Sequence, residues 1–120
     1  MKDFPAPLDL KKLKVFPLAQ RRSLSAGPDI FIAPDAPLSP CSAELTNQIH
    51  DCAQRIKAAR ERDASVMLIF GAHLVKNGLA PIVNQLVSQG WITHLATNGA
   101  GTIHDWELDF LGRSEESVRE

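Results

Sequence analysis

The sequence has no long apolar run, no excess of basic charge and little cysteine, and each absence removes a class of function. The longest apolar stretch, Val66 to Ala72, is far short of the ~20 residues that span a bilayer as a helix. The opening MKDFPAPLDL carries an early acid and two prolines and leads into no apolar segment, so it does not read as a secretory signal. A soluble, cytoplasmic protein is the expectation. Thirteen Lys and Arg against fourteen Asp and Glu leave a formal net charge of −1, and a nucleic-acid binder usually carries a basic footprint. Neither nucleic acid nor a membrane is expected as a partner. Only Cys41 and Cys52 are present, with no CxxC. On one continuous helix they would stand about three turns apart, beyond the ~7 Å between Cα atoms that a disulfide allows. They are expected to be free thiols, buried or partly buried. There is no Walker A sequence, GxSxG elbow, HExxH pair or complete GxGxxG, and no internal repeat.

What remains is a 120-residue chain, 44% hydrophobic and 22% charged, the composition of an ordinary globular domain rather than a disordered one. Residues 1–38 read as an irregular arm. With residues 39 and 40 included, this part holds seven of the eight prolines, which disfavour long helices and central strands. Lys11, Lys12, Lys14, Arg21 and Arg22 make it basic.

From Ser39 the pattern changes. Ser39 followed by Pro40 suggests a capped helix start. Leu45, Ile49, Cys52, Ile56 and Ala59 recur at helical spacing to near Arg62, with charges on the other face. Val66 to Phe70 is apolar at every position and reads as a strand covered on both faces. A helix starting near Gly78 takes Pro81 in its first turn and stops at Gly90. Trp91 to Ala96 reads as a second strand. A third helix is expected from Thr102 or Ile103 to Leu111, and Ser114 looks like the cap of a fourth. The expected fold is α/β: a parallel strand-helix-strand unit of Rossmann-like type, the beginning of a larger domain over residues 39–120, preceded by the Pro-rich arm.

Ligands of open parallel sheets bind outside the carboxyl ends of the strands. Two loops leave those ends, one from Gly71 to Gly78 and one from Thr97 to Asp105. Both feed helix N-termini, which favour phosphate or carboxylate. Gly99 and Gly101 would let a ligand approach the backbone. His104 beside Asp105 and Glu107 is a candidate acid/base. His73, His104 and Asp105 together offer mixed nitrogen and oxygen donors for a metal, though no ligand spacing enforces one. His94 reads as a satisfied strand histidine and Lys76 as a solvated lysine.

The run His73 to Leu79, then Trp91 to Gly101, then Asp105, resembles deoxyhypusine synthase and its bacterial deoxyhypusine-synthase-like relatives over roughly residues 45–112. The resemblance implies a Rossmann-like, NAD-linked, homo-oligomeric transferase. Such an enzyme oxidises a polyamine such as spermidine and carries its aminoalkyl group on a lysine as an imine. It implies that Ala72, His73, Thr97, Asn98, Gly99, Ala100 and Gly101 contact NAD, and that His104 and Asp105 lie at the amine. Two departures mark this chain. His73 replaces a small polar residue, and Ile103-His104 stand where the family has glutamates, so a different amine is implied. The region carrying the family's imine-forming lysine has no counterpart here, so the chain is expected to supply part of the cofactor site and no catalytic residue. Two other readings stay open: a small α/β ligand-binding or assembly module without catalysis, and a metal-assisted hydrolase using His73, His104 and Asp105.

Overall fold

A computed structural model describes residues 7–119. Pro5 of the arm and Glu120 lie outside the described residues. The described residues are mixed α/β with two small sheets. Strand β1 (Ser23–Ala26) leads into a one-turn helix α1 (Gly27–Ile30), followed by α2 (Ala43–Glu61), β2 (Met67–Phe70), α3 (Ala72–Lys76), α4 (Ala80–Ser88), β3 (His94–Thr97), α5 (Gly99–Leu111) and β4 (Arg113–Glu116). Strands β2 and β3 are parallel, with Met67 opposite His94 and Phe70 opposite Thr97. Strands β1 and β4 are antiparallel, with Ser25 opposite Ser114.

The arm is more ordered than its prolines suggest. Between Pro17 and Pro28 the chain is free of proline, and β1 occupies that window. Further on, Ile32 N–H donates to Gly78 O at 3.0 Å, which fixes the arm to the turn after α3. Helix α2 starts three residues later than Ser39-Pro40 suggests. Ser42 is the cap, its Oγ accepting from Leu45 N–H at 3.2 Å. The helix expected from near Gly78 is α4, and the stretch before it, read as a loop from Gly71 to Gly78, holds the short helix α3; Gly78 at φ 78° separates the two. Pro81 does fall in the first turn of α4, and Gly90 is left-handed at φ 75°.

Helix α5 begins at Gly99, not at Thr102. Asn98 caps it, Oδ1 accepting from Gly101 N–H at 2.9 Å. Asn is as strong a cap as Ser, and the adjacent glycines mask that signal. The helix ends at Leu111, as expected, with Gly112 left-handed at φ 67° after it. Ser114 caps no helix: it lies in β4 and pairs with a strand about 90 residues earlier.

The core is small. Among the described residues, Val75, Val83, Ile92 and Leu108 are the buried large hydrophobics. They lie where α3, α4 and α5 meet one face of the parallel pair. The other face is open, with Met67 56% and Ile69 74% exposed, so β2 is not covered on both sides. Helix α2 buries none of its residues. Its firmest tie is Arg60, whose guanidinium donates to Gly90 O at 2.8 Å and Ala64 O at 2.7 Å. Cys41 and Cys52 are free but exposed: Cys41 precedes α2, and Cys52 lies on a face of α2 that is exposed to solvent. No helix among the described residues is long and apolar enough to cross a membrane.

Candidate functional site

Two polar sites adjoin on α5, one at its N-terminus and one along its inner face. The first is the strand-end edge. Because β2 and β3 pair in register, Phe70 and Thr97 end side by side. The chain then turns at Gly71 into α3 and at Asn98 into α5. A Cβ on Gly71 would lie 3.6 Å from Asn98 Nδ2, so the two turns touch. Ala72, His73, Thr97, Asn98, Gly99, Ala100 and Gly101 therefore share one edge. No side chain caps α3, which leaves its first N–H groups open.

The glycines of this edge differ. Around Gly99 nothing lies within 4 Å of where a Cβ would stand, so a ligand has room at the backbone. Gly101 is buried, and its Cβ would fall 2.0 Å from Thr97 Oγ1. Its lack of a side chain lets helix and strand pack closely. Behind the edge lies a cavity of about 100 Å³ bordered by Phe70, Asn84, Thr97, Thr102 and Asp105. Ligand pockets usually enclose ~300–1,000 Å³, so this cavity is smaller than a usual ligand site.

The second site was not legible in the sequence. His104 turns inward, away from exposed Asp105. Its Nδ1 lies 2.6 Å from Ser114 Oγ and 3.4 Å from Glu107 Oε2. Ser114 Oγ donates to Glu107 Oε2 at 2.5 Å, and Arg21 Nη1 makes a short ion pair with Glu107 Oε1. Arg21 also donates to Ser23 Oγ at 3.2 Å. Beyond it, Lys76 Nζ pairs with Glu115 Oε1 at 2.5 Å, and Ser25 Oγ donates to the other oxygen. Lys76 is thus an ion-pair partner, not a solvated lysine. Glu115 stands at φ 62°, a backbone strain held by those two contacts.

Burial pushes the Glu107 carboxyl up. Hydrogen bonds from Arg21 and Ser114, the Arg21 charge and a backbone hydrogen bond from Glu115 outweigh it, bringing Glu107 from 4.5 down to about 2. The Glu115 carboxyl is also lowered, first by Lys76 and then by Ser25. An ionised Glu107 only accepts, so the Ser114 proton points to it and His104 Nδ1–H donates to Ser114. That order is the reverse of what activates a serine nucleophile, and Ser114 is only 1% exposed. The network is a structural clamp of α5, β4 and the arm.

Its pH dependence follows. Unfolded, Glu107 takes its proton near 4.5; folded, only near 2. Its stabilisation is present above the unfolded value and is lost as pH falls from 4.5 towards 2. The loss is about 3 kcal/mol. Denaturant titrations by circular dichroism at stepped pH should show this slope in the native chain, and Glu107→Gln should flatten it.

The structure does not gather the proposed metal donors. His104 is occupied by Ser114, and no group of three or more His, Cys, Asp or Glu among the described residues is placed to hold a metal. His94 is exposed, with Nδ1 2.8 Å from Thr93 Oγ1. Comparison with family models, with characterised proteins and with solved structures finds no match for the chain.

Proposed function

We propose that the strand-end edge is part of a dinucleotide site. On this reading the chain is the cofactor-binding portion of a Rossmann-like, deoxyhypusine-synthase-like aminoalkyl transferase, acting with NAD on a polyamine-like amine. The observation that carries this reading is the parallel register of β2 and β3. It sets the uncapped start of α3 against the Asn98-capped start of α5, with the backbone open at Gly99. Two helix N-termini and an unobstructed backbone suit a pyrophosphate. Ala72, His73, Asn98, Gly99 and Ala100 would hold it. Asp105 and Thr102, which line the cavity behind, would offer a carboxylate and a hydroxyl to an ammonium group. NAD would supply the hydride acceptor; the residues of this chain bind and orient.

Calorimetric titration with NAD tests the reading. Saturable binding is expected, weakened at least tenfold in Gly99→Val. With no atom within 4 Å of the new Cβ, that variant should keep the native circular dichroism and melting point. A folded chain that takes up no NAD overturns the proposal.

A further inference from the structure

Helix α5 is amphipathic in the reverse sense. Its inner face carries Glu107 and His104 beside Leu108, whereas Ile103 is 57%, Trp106 51% and Phe110 67% exposed. The Trp106 and Phe110 rings stack at 5.1 Å, forming an aromatic ridge of the kind that anchors interfaces. Helix α2 bears a second stripe: Leu45, 46% exposed, Ile49, 56% exposed, and exposed Cys52, ending on half-buried Ile56. The two stripes have the same spacing, three then four residues, which is the seam of a packed helix pair. Their flanks are opposite in charge. Asp109 lies on the outer side of α5, and Arg55 and Lys57 lie on α2. None of these three makes an ion pair among the described residues.

The chain also exposes far more surface than its mass requires. Its accessible surface is 9983 Å², against roughly 6,400 Å² for a compact 13.2 kDa protein. Its radius of gyration is 19.7 Å, against about 14 Å. The surplus exceeds the ~800 Å² per partner of a standard interface, even with the extended arm contributing part of it.

We infer that two copies of this chain dock through α2 and α5: the α2 stripe of each copy lies on the Ile103–Trp106–Phe110 ridge of the other, with Arg55 against Asp109. Both halves of the contact are on one chain and do not meet within it, so a two-fold axis makes the contact twice. Antiparallel packing with Ile56 over Trp106 places Arg55 and Asp109 side by side along the seam. The inference does not depend on the cofactor reading.

Sedimentation velocity on the full chain tests it by charge exchange. The native chain should sediment as a species of at least twice the chain mass. Arg55→Glu and Asp109→Arg should each raise the dissociation constant more than tenfold while leaving the circular dichroism unchanged. Mixing the two variants should restore the native affinity, because both contacts of the mixed dimer then join opposite charges. One contact holds the native pair of Arg55 and Asp109, and the other holds the same pair with its charges reversed. Trp106→Glu should give monomer that no mixing rescues. A native chain that is monomeric at all concentrations overturns the inference. So does an assembly indifferent to all three substitutions, or one whose charge variants stay apart on mixing.

Discussion

Glu107→Leu should cost about 3–5 kcal/mol of stability. The substitution leaves the Arg21 guanidinium, 12% exposed, with Ser23 Oγ as its remaining partner, and takes the acceptor from the Ser114 hydroxyl. Domains of this size are stable by ~5–15 kcal/mol, and only four large hydrophobics are buried among the described residues. The loss is therefore a large share of the total. An unpaired buried charge is the main cause, so removing the charge on the other side as well should recover much of it. Arg21→Met combined with Glu107→Leu is expected to be more stable than Glu107→Leu alone, with a coupling of about 2 kcal/mol in a double-mutant cycle. Urea denaturation of the four proteins measures this. Additive losses would mean that the ion pair does not clamp α5 to the arm.

The clamp matters to the candidate site because α5 carries both. Its N-terminus is the Asn98–Gly99 turn, and its inner face is the Glu107 network. Gly101 packs on Thr97, and Glu107 ties the next turns to β4 and the arm. The orientation of α5 against the parallel strands is thus set at two places. Loosening the network should reach the edge without touching any residue in it.

The parts legible in the sequence were those governed by local pattern. Apolar residues at helical spacing marked the length of α2, Gly90 marked the stop after α4, and the two apolar runs marked β2 and β3. The strand-end loops were found because glycine and small polar residues cluster there. The clamp was not legible, because its members are far apart: Arg21 and Glu107 are separated by 86 positions and Ser25 and Glu115 by 90. Each alone reads as a surface residue. Ser114 with two acids after it imitates a helix cap, and only its pairing opposite Ser25 makes it a strand residue. Local signals also overstated burial. The stripe on α2 and the run through β2 are apolar, but periodicity says which face wants a partner, not whether this chain supplies one.

Gly78→Ala should destabilise the chain by about 2–4 kcal/mol and release the arm. Two costs combine. Gly78 sits at φ 78°, a conformation that L side chains rarely adopt, and a Cβ there would lie 1.8 Å from Ile30 O and 2.6 Å from its carbonyl carbon. The obstacle is backbone, so no rotamer change relieves it; Ile30–Ile32 must lift, breaking the bond from Ile32 N–H to Gly78 O. Gly90→Ala separates the two costs. Gly90 is equally left-handed at φ 75°, with nothing within 4 Å of its Cβ position, so it should lose only the conformational part, about 1 kcal/mol. Thermal melts give the two losses, and limited proteolysis locates them: Gly78→Ala should open cleavage around residues 30–38, and Gly90→Ala should not. Equal losses at the two positions, with the arm still protected, would mean that the Ile30 carbonyl does not press on Gly78 and that the arm is held elsewhere.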